Sequence, residues 1–147
     1  MQSDPASRMI RAMDAPSAVE RLRRAFRGRE QGVAAVYLFG SVARGERRPD
    51  SDLDVAVLLE PAPERGTFES LRLDLRAELE SDLGRDVDLV VLNHAPPDLA
   101  HRVLRDAVLI IEPDPSARVR FEVRARNEYW DLKPYLDEYR QSPGVPR

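Results

Sequence analysis

Val33-Ala34-Ala35-Val36-Tyr37-Leu38-Phe39 runs directly into Gly40-Ser41, and ten residues later comes Asp52-Leu53-Asp54-Val55-Ala56-Val57-Leu58-Leu59. The first run is apolar throughout and too short for a typical core helix, so it reads as a strand buried on both faces. The second, Leu53 to Leu59, reads as another strand, entered through a pair of aspartates. Two further strands are expected, Val87 to Leu92 within Asp86-Val87-Asp88-Leu89 and Ala107 to Ile111.

Helical patterns fill the intervals. Val19, Leu22 and Phe26 recur at helical steps after Ser17, whose Ser-x-x-Glu form with Glu20 predicts a capping box. Thr67 to Leu83 predicts an amphipathic helix with Phe68, Leu71, Leu75 and Leu79 on one stripe, ended by Gly84. A short helix over Asp98–Arg105 follows. A long one starts after Pro113-Asp114-Pro115, reaches about Lys133, and is open to resuming beyond Pro134. Strands alternating with helices predict an α/β fold.

Chemistry enters through the acids. Residues i and i+2 of a strand point to the same side with Cα atoms roughly 6.6–6.8 Å apart, so Asp52 and Asp54 aim their carboxylates into one volume. That is close enough to share a magnesium ion. Their face continues as Ala56 and Leu58, so it is no solvent face. Asp86, Asp88, Val90 and Leu92 share a face of the third strand in the same way. Like charges gathered on neighbouring strands repel, and burying them unpaired is costly. A divalent cation removes the conflict. Asp50, Asp52 and Asp86 also fit an acidic turn or the segment after a helix end, whereas Asp54 and Asp88, flanked by apolar residues, lack such a structural reason. Gly40-Ser41 has two readings: a strand-to-helix turn with Ser41 as N-cap, or a backbone able to approach phosphate oxygens closely.

Composition narrows the classes. A chain of 147 residues fits one domain, and a net charge of −3 gives no bulk attraction to nucleic acid. The absence of cysteine excludes disulfides, thiolate metal sites and cysteine nucleophiles. His94 and His101 have no metal-ligand spacing and read as surface or helix-packing residues. No apolar run approaches the roughly 20 residues of a membrane helix, and the first residues lack a signal-peptide core, so a soluble cytoplasmic protein is expected. Residues 1–14 are expected to be a flexible leader, 15–140 the folded domain and 141–147 a flexible tail.

Gly40-Ser41, ten residues, then Asp52-Leu53-Asp54, with Val87-Asp88-Leu89 downstream, resembles the signature of the nucleotidyltransferase superfamily of polymerase-β-like fold. More narrowly, Gly40-Ser41-Val42-Ala43-Arg44-Gly45 with Ser51-Asp52-Leu53-Asp54-Val55-Ala56-Val57 is similar to the minimal nucleotidyltransferases, the MntA-type antitoxins. The stretches Leu92–Leu99 and Glu128–Pro134 are similar to later segments of that family, and the resemblance covers about residues 16 to 140. It implies a small mixed sheet of about four strands flanked by helices, with a long C-terminal helix.

The resemblance also implies roles. Asp52 and Asp54 would hold two Mg²⁺ ions bridging a nucleoside triphosphate, and Asp88 would ligate the ion nearer the attacking hydroxyl and help deprotonate it. Gly40 and Ser41 would hold the β- and γ-phosphates, Ser51 would order the turn before Asp52, and Arg44 would add positive charge. Arg47 and Arg48 are either further phosphate contacts or a solvated basic loop. The implied activity is transfer of AMP from ATP to a tyrosine of a HEPN-domain ribonuclease toxin of HepT type, with no membrane or direct nucleic-acid partner. Two other readings stand: transfer to a small alcohol such as an aminoglycoside, and an antitoxin that blocks its partner by binding alone. Tyr129, Trp130, Tyr135 and Tyr139, near helical spacing, read as core or partner-facing more readily than as an adenine platform.

Overall fold

The apolar run from Val33 becomes the inner strand of a sheet. In the computed structural model, which describes residues 14–46, 52–141 and 143, β1 (Val33–Phe39) pairs antiparallel with β2 (Leu53–Leu59) on one side and with β4 (Val108–Ile111) on the other. β3 (Val87–Val91) joins β2 in parallel, giving the order β3-β2-β1-β4. Parallel neighbours need a long crossover, and α3 (Arg65–Leu83) supplies it between β2 and β3. The other helices are α1 (Ala15–Ala25), the short α2 (Gly40–Ala43), α4 (Pro97–Asp106) and α5 (Pro115–Gln141), with a 3₁₀ turn at Leu92–His94. The expected mixed four-stranded sheet with a long final helix is the architecture found.

Both sheet faces are covered, which is why β1 has no polar side. Val36, Leu38, Val55, Val57 and Leu89 pack with Leu22 and Phe26 of α1 and Leu79 and Leu83 of α3. On the opposite face, Tyr37, Ala56 and Leu58 pack with Ala100 and Val103 of α4 and Phe121 of α5. Each fully buried large side chain, such as Leu22 or Phe26, contributes about 1.5–3 kcal/mol. A register shift between Val33 and Ala35 turns both Ala34 and Ala35 toward the α4–α5 face, where their small size admits the helices closely. The edge strands each receive an arginine: Arg23 Nε donates to the Ile110 carbonyl at 3.1 Å, and an Arg72 N–H donates to the Leu89 carbonyl at 3.4 Å. Among the described residues, no helix is long and apolar enough to cross a membrane.

Five local expectations are corrected. Asp14, not Ser17, caps α1; its Oδ1 accepts from the Ser17 N–H at 2.9 Å, and Pro16 fits the first turn because it has no N–H to leave unpaired. α3 starts two residues early, at Arg65. Leu71 lies off its buried stripe at 47% exposure, and the stripe runs Phe68, Arg72, Leu75, Leu79, Leu83. β3 ends at Val91, and Leu92 opens the 3₁₀ turn. α5 continues through Pro134 without a break, although Pro134 has no N–H for the Trp130 carbonyl. The expected leader, apart from Asp14, and most of the expected tail lie outside the described residues.

Candidate active site at the Gly40–Asp54–Asp88 corner

Where β1 ends, the chain must turn past the start of β2. Phe39 stands opposite Asp54 in the antiparallel register, and the next residue, Gly40, adopts φ +74°. Glycine is required there for two reasons. Its φ lies in the left-handed region, and a Cβ would sit 2.0 Å from Asp54 Oδ2 and 2.7 Å from its Cγ. The Asp54 carboxylate therefore occupies space that only glycine leaves open. Phe39 holds the cap position of α2, so Ser41 lies inside the first turn and its hydroxyl is not used as a cap.

Across the parallel seam, Asp54 is in register with Asp88. Partners in register present side chains to one face, and adjacent strands lie only about 4.8 Å apart. Asp54 is half-buried, while Asp52 and Asp88 are exposed. Burial, then the charges of Asp88 and Asp52, push the Asp54 carboxyl up to about 6, and Arg44 pulls weakly the other way. The three acids are thus close enough to feel one another. Arg44 approaches the corner but is engaged elsewhere, 3.3 Å from Glu46 Oε1 and 3.8 Å from Asp106 Oδ2. To reach a phosphate it would have to exchange those partners.

The strand carrying Asp88 is held by Gly84, which the sequence already marks as the helix end, and by Glu80, Arg72 and Asn93, which pattern reading passed over. Gly84, at φ +62°, ends α3 in the left-handed conformation and accomplishes the turn into β3. Glu80 Oε2 then accepts from the Val87 N–H at 3.0 Å, and the Leu53 N–H donates to the Asp86 carbonyl at 3.0 Å, fixing the start of β3 against β2. Arg72 binds the Leu89 carbonyl, one residue beyond Asp88, while pairing with Glu69. A charged residue interrupting a leucine stripe was the available signal for Arg72. Asn93 closes the far end by accepting from the Leu59 N–H at 2.9 Å and donating to its carbonyl at 2.8 Å.

Could this corner hold a cation? Among the described residues no three carboxylates or imidazoles close into a cage. Magnesium characteristically takes one or two carboxylates together with substrate phosphates and water, so an open, all-oxygen pair fits it better than a closed cage would. Burial first, and the neighbouring carboxylates second, disfavour the charged form of Asp54, and a cation beside it would offset both. Ser51, with Arg47 and Arg48, lies outside the described residues. His94 packs edge-on against Phe68 with Nε2 3.2 Å from the Pro63 carbonyl, and His101 stacks on Tyr129 at 3.5 Å between ring centres; both are packing residues as expected.

A mixed sheet with paired strand aspartates beside a strand-to-helix glycine defines a nucleotidyltransferase. The family model "Polymerase beta, Nucleotidyltransferase" matches residues 20–116. The protein adenylyltransferase MntA of Thermococcus cleftensis is 38% identical over 79 residues, covering 54% of this chain and 76% of that one. A toxin–antitoxin crystal structure with AMP-PNP is similar at TM-score 0.67 and 25% identity, covering 82% of this chain and 97% of that one. A structure of the tri-AMPylated HEPN toxin of Shewanella oneidensis with its MNT antitoxin matches in fold, at TM-score 0.62 and 22% identity, over 85% of this chain and 98% of that one. The chain belongs to the polymerase-β nucleotidyltransferase family and, within it, to the minimal nucleotidyltransferases of MntA type.

Proposed function

We propose that this chain is a magnesium-dependent protein adenylyltransferase that transfers AMP from ATP to a tyrosine of a HEPN-domain toxin and so acts as its antitoxin. The observation that carries the chemistry is the in-register pair Asp54–Asp88 with Asp54 seated against Gly40. The protein acceptor is supported by the MntA relative, which is named a protein adenylyltransferase, and by the toxin–antitoxin structure with AMP-PNP.

Asp52 and Asp54 would hold Mg²⁺, with Asp88 completing the carboxylate set on the acceptor side. Bound there, magnesium supplies charge neutralisation on the phosphates and activation of the attacking oxygen. Gly40 offers an uncrowded backbone, and Ser41 a hydroxyl, to the β- and γ-phosphates. Arg44 adds charge once released from Glu46 and Asp106. Asp88, exposed at the open side, accepts the proton of the tyrosine hydroxyl as its oxygen bonds to the α-phosphorus. The bond from that phosphorus to pyrophosphate breaks, and pyrophosphate leaves on the Gly40–Ser41 side. Residues 15–140 would form the catalytic domain.

The test is transfer of label from ATP marked at its α-phosphate to a HEPN-domain toxin. Magnesium-dependent labelling of one or more tyrosines is expected, and loss of it in Asp52→Ala with Asp54→Ala. Undiminished transfer by that double variant would place the chemistry elsewhere.

A further inference from the structure

α5 carries an apolar stripe on the side away from the core. Val119 and Val123, each 47% exposed, and Trp130, 58% exposed, recur at steps of four and seven residues and so align on one side, opposite the buried Ala117, Phe121 and Ala125. Over this span the helix rises about 16 Å, three turns. Trp130 also stands at a cavity of about 490 Å³ that opens beside the stripe. The cavity walls are apolar: Leu104, Ala107, Leu109 and Ala125. At its base Tyr37 donates to Glu122 Oε1 at 2.6 Å, and Arg118 donates to the other oxygen at 2.9 Å, so the charge of this half-buried acid is already paired.

The rim is cationic. Arg126 makes no ion pair among the described residues, and Arg105 pairs with its neighbour Asp106. This composition bears on what can cover the stripe. Two copies pairing antiparallel about its midpoint would bring Arg126 against Val123 and near its own counterpart, since a two-fold interface sets each central residue beside itself. A second copy is therefore disfavoured by charge, and an acidic partner favoured.

We propose that the outer face of α5 and the adjoining cavity form the docking surface for an amphipathic helix of the acceptor protein. That helix would set an acidic residue against Arg126 and send one large apolar side chain into the cavity beside Trp130. The assignment rests on the reading that the acceptor is a protein. The cavity lies on the same sheet face as Asp54: Tyr37 pairs with Ala56 and with Leu109, one same-face position along from the Phe39–Asp54 pair. A partner held there would be fixed relative to the carboxylates by the sheet itself.

The test uses this chain, a HEPN-domain toxin, and the variants Trp130→Ala and Arg126→Glu, with Arg120→Glu elsewhere on α5 as control. KM for the HEPN protein should rise about tenfold or more in both docking variants, with kcat, ATP affinity and melting temperature unchanged, and the control should match wild type. Unchanged KM in both variants would overturn the proposal. So would a loss of ATP affinity in Trp130→Ala, which would give the cavity to the nucleotide, or a wild-type dimer that Trp130→Ala dissolves, which would give the stripe to a second copy. If wild type transfers no label, the catalytic reading fails separately. Direct binding of the same HEPN protein then decides: weaker binding by Arg126→Glu than by wild type supports the docking surface, and equal or absent binding overturns it.

Discussion

Asp54 and Asp88 stand in register on parallel neighbouring strands, yet only Asp54 is walled in, by the backbone of Gly40 and the helix-covered face of the sheet. Burial above all pushes its carboxyl up to about 6, whereas an unfolded chain releases that proton near the ordinary 3.8. Between those values the folded state binds more protons than the unfolded one, so stability falls as pH rises through the window and stays lowered above it. Asp54→Asn removes that dependence. It should stabilise the magnesium-free protein by on the order of 1 kcal/mol at neutral pH, after discounting for solvent screening, and by nearly nothing at about pH 4. Urea unfolding of both proteins at the two pH values measures this, and an equal increment at both would refute the origin assigned to it.

Magnesium should act in the opposite direction. A cation beside Asp54 favours the charged carboxylate, so magnesium with a non-hydrolysable ATP analogue should raise the melting temperature of wild type near neutral pH. Asp54→Asn and Asp88→Asn should lose most of that rise. Identical shifts in all three would separate the ion from these carboxylates.

Gly40→Ala tests the close approach. The left-handed backbone alone costs an alanine about 1–2 kcal/mol, and the added methyl must displace the Asp54 carboxylate. Gly45, at φ +82° with nothing within 4 Å of a built Cβ, isolates the first effect. Both alanine variants should lose similar backbone stability, but only Gly40→Ala should also lose label transfer, by about 100-fold or more, because misplacing a reacting group by an ångström has that scale of effect. Comparable activity in the two would remove Gly40 from the site.

Tyr37 and Glu122 join β1 to α5 through a single short hydrogen bond. Tyr37→Phe leaves Glu122 still bound to Arg118 and should cost about 1 kcal/mol, the net worth of one such bond. Glu122→Ala leaves the buried phenol without its acceptor, while Arg118 keeps its bond to Glu112 Oε2 at 2.6 Å, and should cost more, about 2 kcal/mol. Chemical denaturation orders the two, and a larger loss in Tyr37→Phe would contradict the shared-acceptor arrangement.

Strand alternation in the sequence groups Asp52 with Asp54 and Asp86 with Asp88, and the apolar neighbours of Asp54 and Asp88 single those two out, because both signals are local; the register that sets Asp54 beside Asp88 is a tertiary contact. The capping of α1 was misread because Ser17 and Asp14 both satisfy the pattern, and geometry alone chose the residue whose oxygen reaches the Ser17 N–H. Leu71 was misplaced for a related reason. A leucine at the border of a helical stripe looks buried until the neighbouring strand is seen to need Arg72 there instead. The cavity beside Trp130 was not legible at all, since its lining comes from β1, β4, α4 and α5, and no sequence interval relates those residues.

The arginines at the two sheet edges have a consequence for the behaviour of the protein at high concentration. Unprotected edge strands template growth, one molecule adding its strand to the next. Here Arg23 and Arg72 each occupy a main-chain carbonyl that such an incoming strand would seek, and each brings a charge that a stacked neighbour would have to bury beside its own. The sheet is thereby finite by construction, ending after four strands, and Arg23→Ala with Arg72→Ala should aggregate more readily than wild type at equal concentration, as read by light scattering.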